Sequence, residues 1–198
     1  MTYSVSRPQI GGRMFDRQGR RKYLNKQERR AFYEAANQCS DKFEKAFCLT
    51  LLFTGCRISE GLNLTLDRVD FSQRAVIFET LKQRKKGIFR SVPIPETLCE
   101  LLAELAGHKK PSQRIWNWSR ATASRLIADR MSAAGNSGAM ACPKGLRHGF
   151  GVACVASKIP QCIIQRWLGH KRPETTAIYL NVVEDEERKL AQDTWFED

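Results

Sequence analysis

Apolar residues recur along this chain mostly at helical spacing, with one short interruption of strand-like character. Phe43, Ala46, Phe47, Thr50 and Leu51 fall at i, i+3, i+4, i+7 and i+8, which predicts a helix. Leu49, Leu52 and Phe53 fill its other faces, so this helix is expected to be central and buried. Gly55 follows at the position where a left-handed residue commonly ends a helix. Upstream, Asn25-Lys26-Gln27-Glu28 reads as a capping box opening a helix to about Ala36. Cys39-Ser40-Asp41 breaks it, and residues 58–64 read as a short helix behind Arg57. Residues 75–81 are β-branched and aromatic, and a basic Gly-containing turn separates them from a second run over 88–94. That pattern predicts an antiparallel β-hairpin, with Pro93 and Pro95 putting its second strand at an edge.

Helical periodicity resumes over 96–106 through Leu98, Leu101, Leu102 and Leu105. A polar loop covers 107–114, Ser119 caps a helix to about Ala134, and Gly135 to Gly138 form a loop. Helices are expected over 145–157, 160–168, 173–180 and 183–195, the last opened by acidic residues 184–187 that suit a helix N-terminus. The fold class is therefore mainly α with a small antiparallel β-hairpin, an α+β arrangement.

Length and charge narrow the picture. The chain has 198 residues, which suits one domain with a real core. Residues 1–22 lack periodicity and carry Arg17, Arg20, Arg21 and Lys22; a flexible basic arm is expected there, followed by a main domain over 23–182 and a tail over 183–198. The net charge is 33 − 21 = +12, which favours nucleic acid as partner through release of phosphate counterions. The seven cysteines include no C-x-x-C pair and several lie among apolar residues, as expected of free thiols in a reducing compartment. Three scattered histidines argue against a metal site. No targeting or membrane-spanning stretch is evident, so a cytoplasmic, nucleoid-associated location is expected. Trp116, Trp118 and Trp167 are expected in the core rather than as base-stacking platforms.

Three stretches carry candidate chemistry: TGCRISEGL over 54–62, PKGLRHGF over 143–150 and LGHKRPETTAIYL over 168–180. Together they supply two arginines, lysines, histidines and a tyrosine. Such a set suits chemistry on a phosphodiester, with arginine forks on the non-bridging oxygens and the tyrosine as nucleophile.

These boxes, in this order, resemble the catalytic domain of the tyrosine recombinase (phage integrase) family. The resemblance implies that family's catalytic-domain fold and puts its two catalytic arginines at Arg57 and Arg147, its histidine at His170 and its nucleophile at Tyr179. The family carries a catalytic lysine on the hairpin between the first two boxes. Lys82, 25 residues after Arg57, matches best, with Lys85 and Lys86 as fallbacks. The second box usually reads His-x-x-Arg; here Lys144 stands in place of the histidine, where it would assist the phosphate or accept a proton from Tyr179. His148 is expected to support the site from the core.

The implied activity is site-specific recombination. Tyr179 would form a 3′-phosphotyrosyl bond, Lys82 would protonate the leaving 5′-oxygen, and a second 5′-hydroxyl would religate without ATP, metal or cofactor. Arg17, Arg20, Arg21, Lys22, Arg84, Lys85 and Lys86 are expected to grip phosphates. The family's N-terminal clamping domain needs more than the residues ahead of the first helix, and in length the chain resembles the short recombinases that invert fimbrial switches. The resemblance also implies a homo-tetramer on synapsed sites from a monomer in solution, with accessory DNA-binding proteins, and the 183–198 tail, bearing Leu190, Trp195 and Phe196, docking on a neighbour. Competing expectations are a type IB topoisomerase-like relaxase, which rejoins the same strand, and a catalytically silent DNA-binding regulator.

Overall fold

The computed structural model describes residues 14–80, 87–107, 110–180 and 182. Among them, eight α-helices surround a three-stranded antiparallel sheet. Helix α1 spans Lys26–Asn37, and its capping box is made: the Asn25 side chain accepts from the Glu28 N–H while Glu28 accepts from the Asn25 N–H. Helix α2, Lys42–Thr54, is capped by Asp41 and buries eight of its thirteen residues. It packs on α1, on α4 (Glu96–Ala106) and on α6 (Pro143–Ala156), which is the central position its all-round apolarity predicts. Helix α3 is Ile58–Leu62, and α5 is Arg120–Ala133 with Ser119 as its cap. Helices α7 and α8 are Gln161–Leu168 and Glu174–Ala177.

The expected hairpin is β2, Ala75–Glu79, paired with β3, Phe89–Pro93, in the register Ile77↔Ser91. A strand the periodicity did not predict, β1 (Val69–Asp70), pairs on the other edge of β2. Two residues are too short a run to leave a pattern. The predicted helix over 173–180 is shortened to α8. Past Ala177 the chain tightens into i→i−3 turns, with the Tyr179 and Leu180 N–H groups donating to the Thr176 and Ala177 carbonyls. The helix predicted over 183–195 lies outside the described residues.

The arm expected over 1–22 is corrected in its second half. Residues 14–22 fold back on the body: Phe15 bridges Arg21, and Met14 is buried at 2% exposure. The cause is apolar anchoring by Met14, Tyr23 and Leu24, reinforced by a bidentate ion pair from Arg21 to Glu28 at 2.9 and 3.0 Å. Basic composition concealed this fixed turn.

The core is divided into two adjoining clusters. One joins α1–α5 and the sheet around Phe47, Phe78 and Trp116. The other joins Met14, Phe150, Ile164, Leu168 and Tyr179. Trp116 is fully buried, and Trp118 and Trp167 are partly buried against the core. All seven cysteines are free. Among the described residues no helix is long and apolar enough to cross a membrane.

Candidate active site

Two helix ends frame the site, and each is terminated by a glycine that chain geometry requires. At the end of α2, Gly55 has φ +59°, and a Cβ there would lie 2.5 Å from the Phe150 ring. At the end of α7, Gly169 has φ +63°, and a Cβ would lie 3.0 Å from the Arg90 guanidinium. A left-handed cap turns the chain sharply. The residues that follow, Arg57 after the first cap and His170 after the second, therefore leave the helices at defined points.

Arg147 ties these two ends together. From α6 its Nη1 donates to the Gly55 carbonyl and its Nη2 to the Leu168 carbonyl, both at 2.7 Å. Helix C-terminal carbonyls carry partial negative charge, so the guanidinium is held where two dipoles favour it. It is 8% exposed. Burial, and then the neighbouring Arg57 charge, lower its pKa to about 10, which leaves it a cation at neutral pH.

Arg57 is oriented by Glu60, whose Oε1 accepts from Arg57 Nη1 at 2.7 Å and whose Oε2 accepts from the Arg57 N–H at 2.9 Å. Glu60 Oε2 also accepts from Arg90 Nη2 at 2.6 Å. Burial pushes the Glu60 carboxyl upward, but Arg90 and Arg57 outweigh it and hold the group below its ordinary range. Arg90 further donates to the Trp167 carbonyl at 2.7 Å and to Thr80 Oγ1 at 3.1 Å. The first arginine box, the base of the hairpin and the end of α7 thus meet on one buried guanidinium.

Sequence reading missed Arg90 and Glu60. A signal existed for both. Glu60 sits three residues after Arg57 in a capping-box relation. Arg90 sits at an inward position of β3, in step with Val92, where a charge demands a partner.

Tyr179 is almost fully buried, at 1% exposure. Its hydroxyl lies 3.2 Å from His148 Nδ1. The ring rests on Gly151, where a Cβ would come within 2.6 Å of Tyr179 Cζ. Burial raises the phenol's pKa to about 12, against the opposing pull of Arg147 and Arg57. The His170 ring lies nearly parallel to that of Tyr179 with centroids 6.2 Å apart, and Nδ1 of His170 is 2.9 Å from the buried Thr176 Oγ1. Burial, followed by Arg147 and Arg57, lowers the His170 pKa to about 3. Burial, followed by Lys144 and Arg147, lowers that of His148 to about 4. Both imidazoles are neutral at physiological pH.

The structure brings together Arg57, Arg147, His148, His170 and Tyr179. Lys144 stands in the first turn of α6 and is exposed. Lys82, Arg84, Lys85 and Lys86 lie outside the described residues. Of the N-terminal cations expected on DNA phosphates, Arg20 pairs with Asp16 at 2.7 Å and Arg21 with Glu28, whereas Arg17 is exposed. A cleft of about 300 Å³ opens beside the site, between the hairpin base and α7, lined by Thr80, Arg90, Arg166 and His170 among others.

The profile of the Phage integrase family matches residues 22–186. A tyrosine recombinase of Thermosipho africanus is 26% identical over 169 residues, covering 83% of this chain and 58% of that protein. Tyrosine recombinase XerA of Pyrococcus furiosus is 29% identical over 150 residues, covering 72% of this chain and 51% of that protein. The chain thus spans a little over half the length of these relatives. The fold is similar to that of XerH site-specific recombinase in a post-cleavage complex with palindromic difH substrate, with a TM-score of 0.73 at 20% identity over 89% of this chain and 54% of that one. Three boxes in family order, folded around one buried cluster, and a profile match over most of the length lead to one assignment: this chain belongs to the phage integrase family.

Proposed function

We propose that this protein is a site-specific DNA recombinase that cleaves and rejoins strands through Tyr179. The observation that carries the reading is the convergence of Arg57, Arg147, His170 and Tyr179, drawn from three separate boxes, around one buried cluster. Tyr179 attacks the scissile phosphate and forms a 3′-phosphotyrosyl bond as the 5′-oxygen leaves. Arg57 and Arg147 stabilise the charge that builds on the non-bridging oxygens, because preorganised cations in a dry site act most strongly there. His170, neutral and steadied by Thr176, donates to a phosphate oxygen. Lys82 on the hairpin protonates the leaving 5′-oxygen. The covalent bond conserves the free energy of the broken phosphodiester, so a second 5′-hydroxyl religates without ATP.

Double-stranded DNA is the substrate, and the +12 net charge supports its capture. Four subunits on two synapsed sites would complete the exchange. The phenol is enclosed, so the cover over Tyr179 shifts for the phosphate to approach.

The test is covalent trapping on DNA nicked near the cleavage point, so that cut strands cannot religate. Protein-linked DNA is recovered and sequenced beside a Tyr179→Phe control. Adducts at one recurring sequence, absent from the control, support the reading. Tight DNA binding without any adduct overturns it in favour of a silent regulator. Relaxation of supercoiled plasmid without recombinants redirects it to strand rejoining in place.

A further inference from the structure

We propose that His148, and not Lys144, accepts the phenolic proton when Tyr179 attacks. This rests on the strand-cleavage reading above and assigns its proton acceptor. Among the described residues, His148 Nδ1 is the recorded hydrogen-bond partner of the Tyr179 hydroxyl, at 3.2 Å. For the transfer, the phenol O–H donates to a bare Nδ1 and the ring proton sits on Nε2, the tautomer that the proposal assigns. Among the described residues Nε2 is buried with no hydrogen-bond partner, so none of them holds the ring in the opposite tautomer. The two side chains are held together by packing, their rings tilted at 58° with centroids 5.8 Å apart: Tyr179 lies on Gly151, one turn further along the same helix as His148, and both residues are more than nine-tenths buried.

Lys144 occupies the box position where the family usually has histidine, but it stands exposed on the first turn of α6. A lysine ammonium offers three donors and no acceptor. Its chemistry suits a phosphate oxygen, not the phenol proton. The imidazole is neutral at physiological pH, which leaves its lone pair available. A phosphate docked beside it brings negative charge, and negative charge raises the proton affinity of an imidazole.

The step balances. The Tyr179 O–H bond breaks as the O–P bond forms, and the proton passes to His148 Nδ1. The P–O5′ bond breaks, and the 5′-oxygen takes its proton from Lys82. In religation the 5′-hydroxyl attacks phosphorus, its proton returns to Lys82, and imidazolium returns the other proton to the departing phenolate.

The experiment is single-turnover cleavage of nicked DNA by the full chain, in six forms. These are the parent, His148→Asn, Lys144→Ala, and each with a trifluorinated tyrosine at position 179, whose more acidic phenol needs less help from a base. Asn keeps an acceptor near the Nδ1 position without basicity. His148→Asn is expected to slow cleavage about a hundredfold with unchanged DNA affinity, and the fluorinated phenol is expected to restore most of that loss. The Lys144→Ala defect is expected to persist with the fluorinated phenol. Fluorine rescue of Lys144→Ala but not of His148→Asn overturns the proposal, as does near-parental cleavage by His148→Asn. Absence of adducts from the parent itself is a failure of the underlying reading. Nitrogen NMR of the unmutated protein provides a check independent of variant folding: the proton on Nε2 of His148 supports the proposal, and the proton on Nδ1 overturns it.

Discussion

Arg90 meets Glu60 at 2.6 Å across 30 residues of sequence, with the two side chains 4% and 0% exposed. The same carboxylate orients Arg57. A buried pair of this kind contributes little over a well-packed apolar pair, but removal of one partner strands a charge in the interior. Arg90→Met and Glu60→Ala are each expected to cost about 3–5 kcal/mol in urea unfolding. The double substitution is expected to cost much less than the sum, because neither charge is then left alone. Additive losses in a double-mutant cycle would dissolve the pair as a unit. Glu60→Gln tests its second role: it keeps one acceptor for Arg57, and a cleavage loss larger than its stability loss would mark Glu60 as a positioning residue.

Arg147 bridges two carbonyls with two nitrogens, which a lysine cannot do. Arg147→Lys preserves the charge and loses the fork. It is expected to lower stability by about 2 kcal/mol and to lower cleavage by about a hundredfold or more, with DNA binding little changed. A nearly active lysine variant would mean that charge alone matters at this position.

The Tyr179 seat depends on a missing side chain at position 151. Gly151→Ala is expected to push the phenol off His148 and to cost about 1–3 kcal/mol through overpacking. Spectroscopic titration, with Tyr179→Phe subtracted, should then find the phenol's pKa displaced from about 12 towards the ordinary tyrosine value. An unmoved titration would show that the ring keeps its seat despite the added methyl.

Acid should destabilise the fold through the two site histidines. Burial holds His148 at about 4 and His170 at about 3, whereas in the unfolded chain both titrate near the ordinary histidine value of about 6.5. Between these values the unfolded state binds more protons than the folded one, so stability rises with pH and is lost as pH falls from about 6.5 towards about 4. Melting temperature is expected to drop between pH 7 and pH 5, and the drop should be smaller in His148→Asn. An equal drop in parent and variant would remove His148 from the acid response.

Features written in local spacing were legible before any fold was known. The Asn25–Glu28 capping box, the all-round apolarity of α2, the β-branched and aromatic run of the hairpin and the glycine that ends α2 each depend on residues a few positions apart. Backbone geometry converts such spacing directly into local structure. The three boxes likewise singled out Arg57, Arg147, His170 and Tyr179 through the family resemblance they carry; Arg57 and His170 follow helix-ending glycines, whereas Arg147 lies within α6. The fold-back of residues 14–22 was not legible, since a basic composition conceals three apolar anchors and one ion pair.

What tertiary structure alone decided was partnership. Arg90 finds Glu60 at a separation of 30 residues and the Trp167 carbonyl at 77. His148 finds Tyr179 at 31. In sequence Lys144 was expected in the catalytic set and His148 only in support from the core; in the fold Lys144 is exposed and His148 faces the phenol. A side chain's type is written in the chain, but its burial and its hydrogen-bond partner are set only when distant segments pack. Those two quantities decide which group can hold a proton.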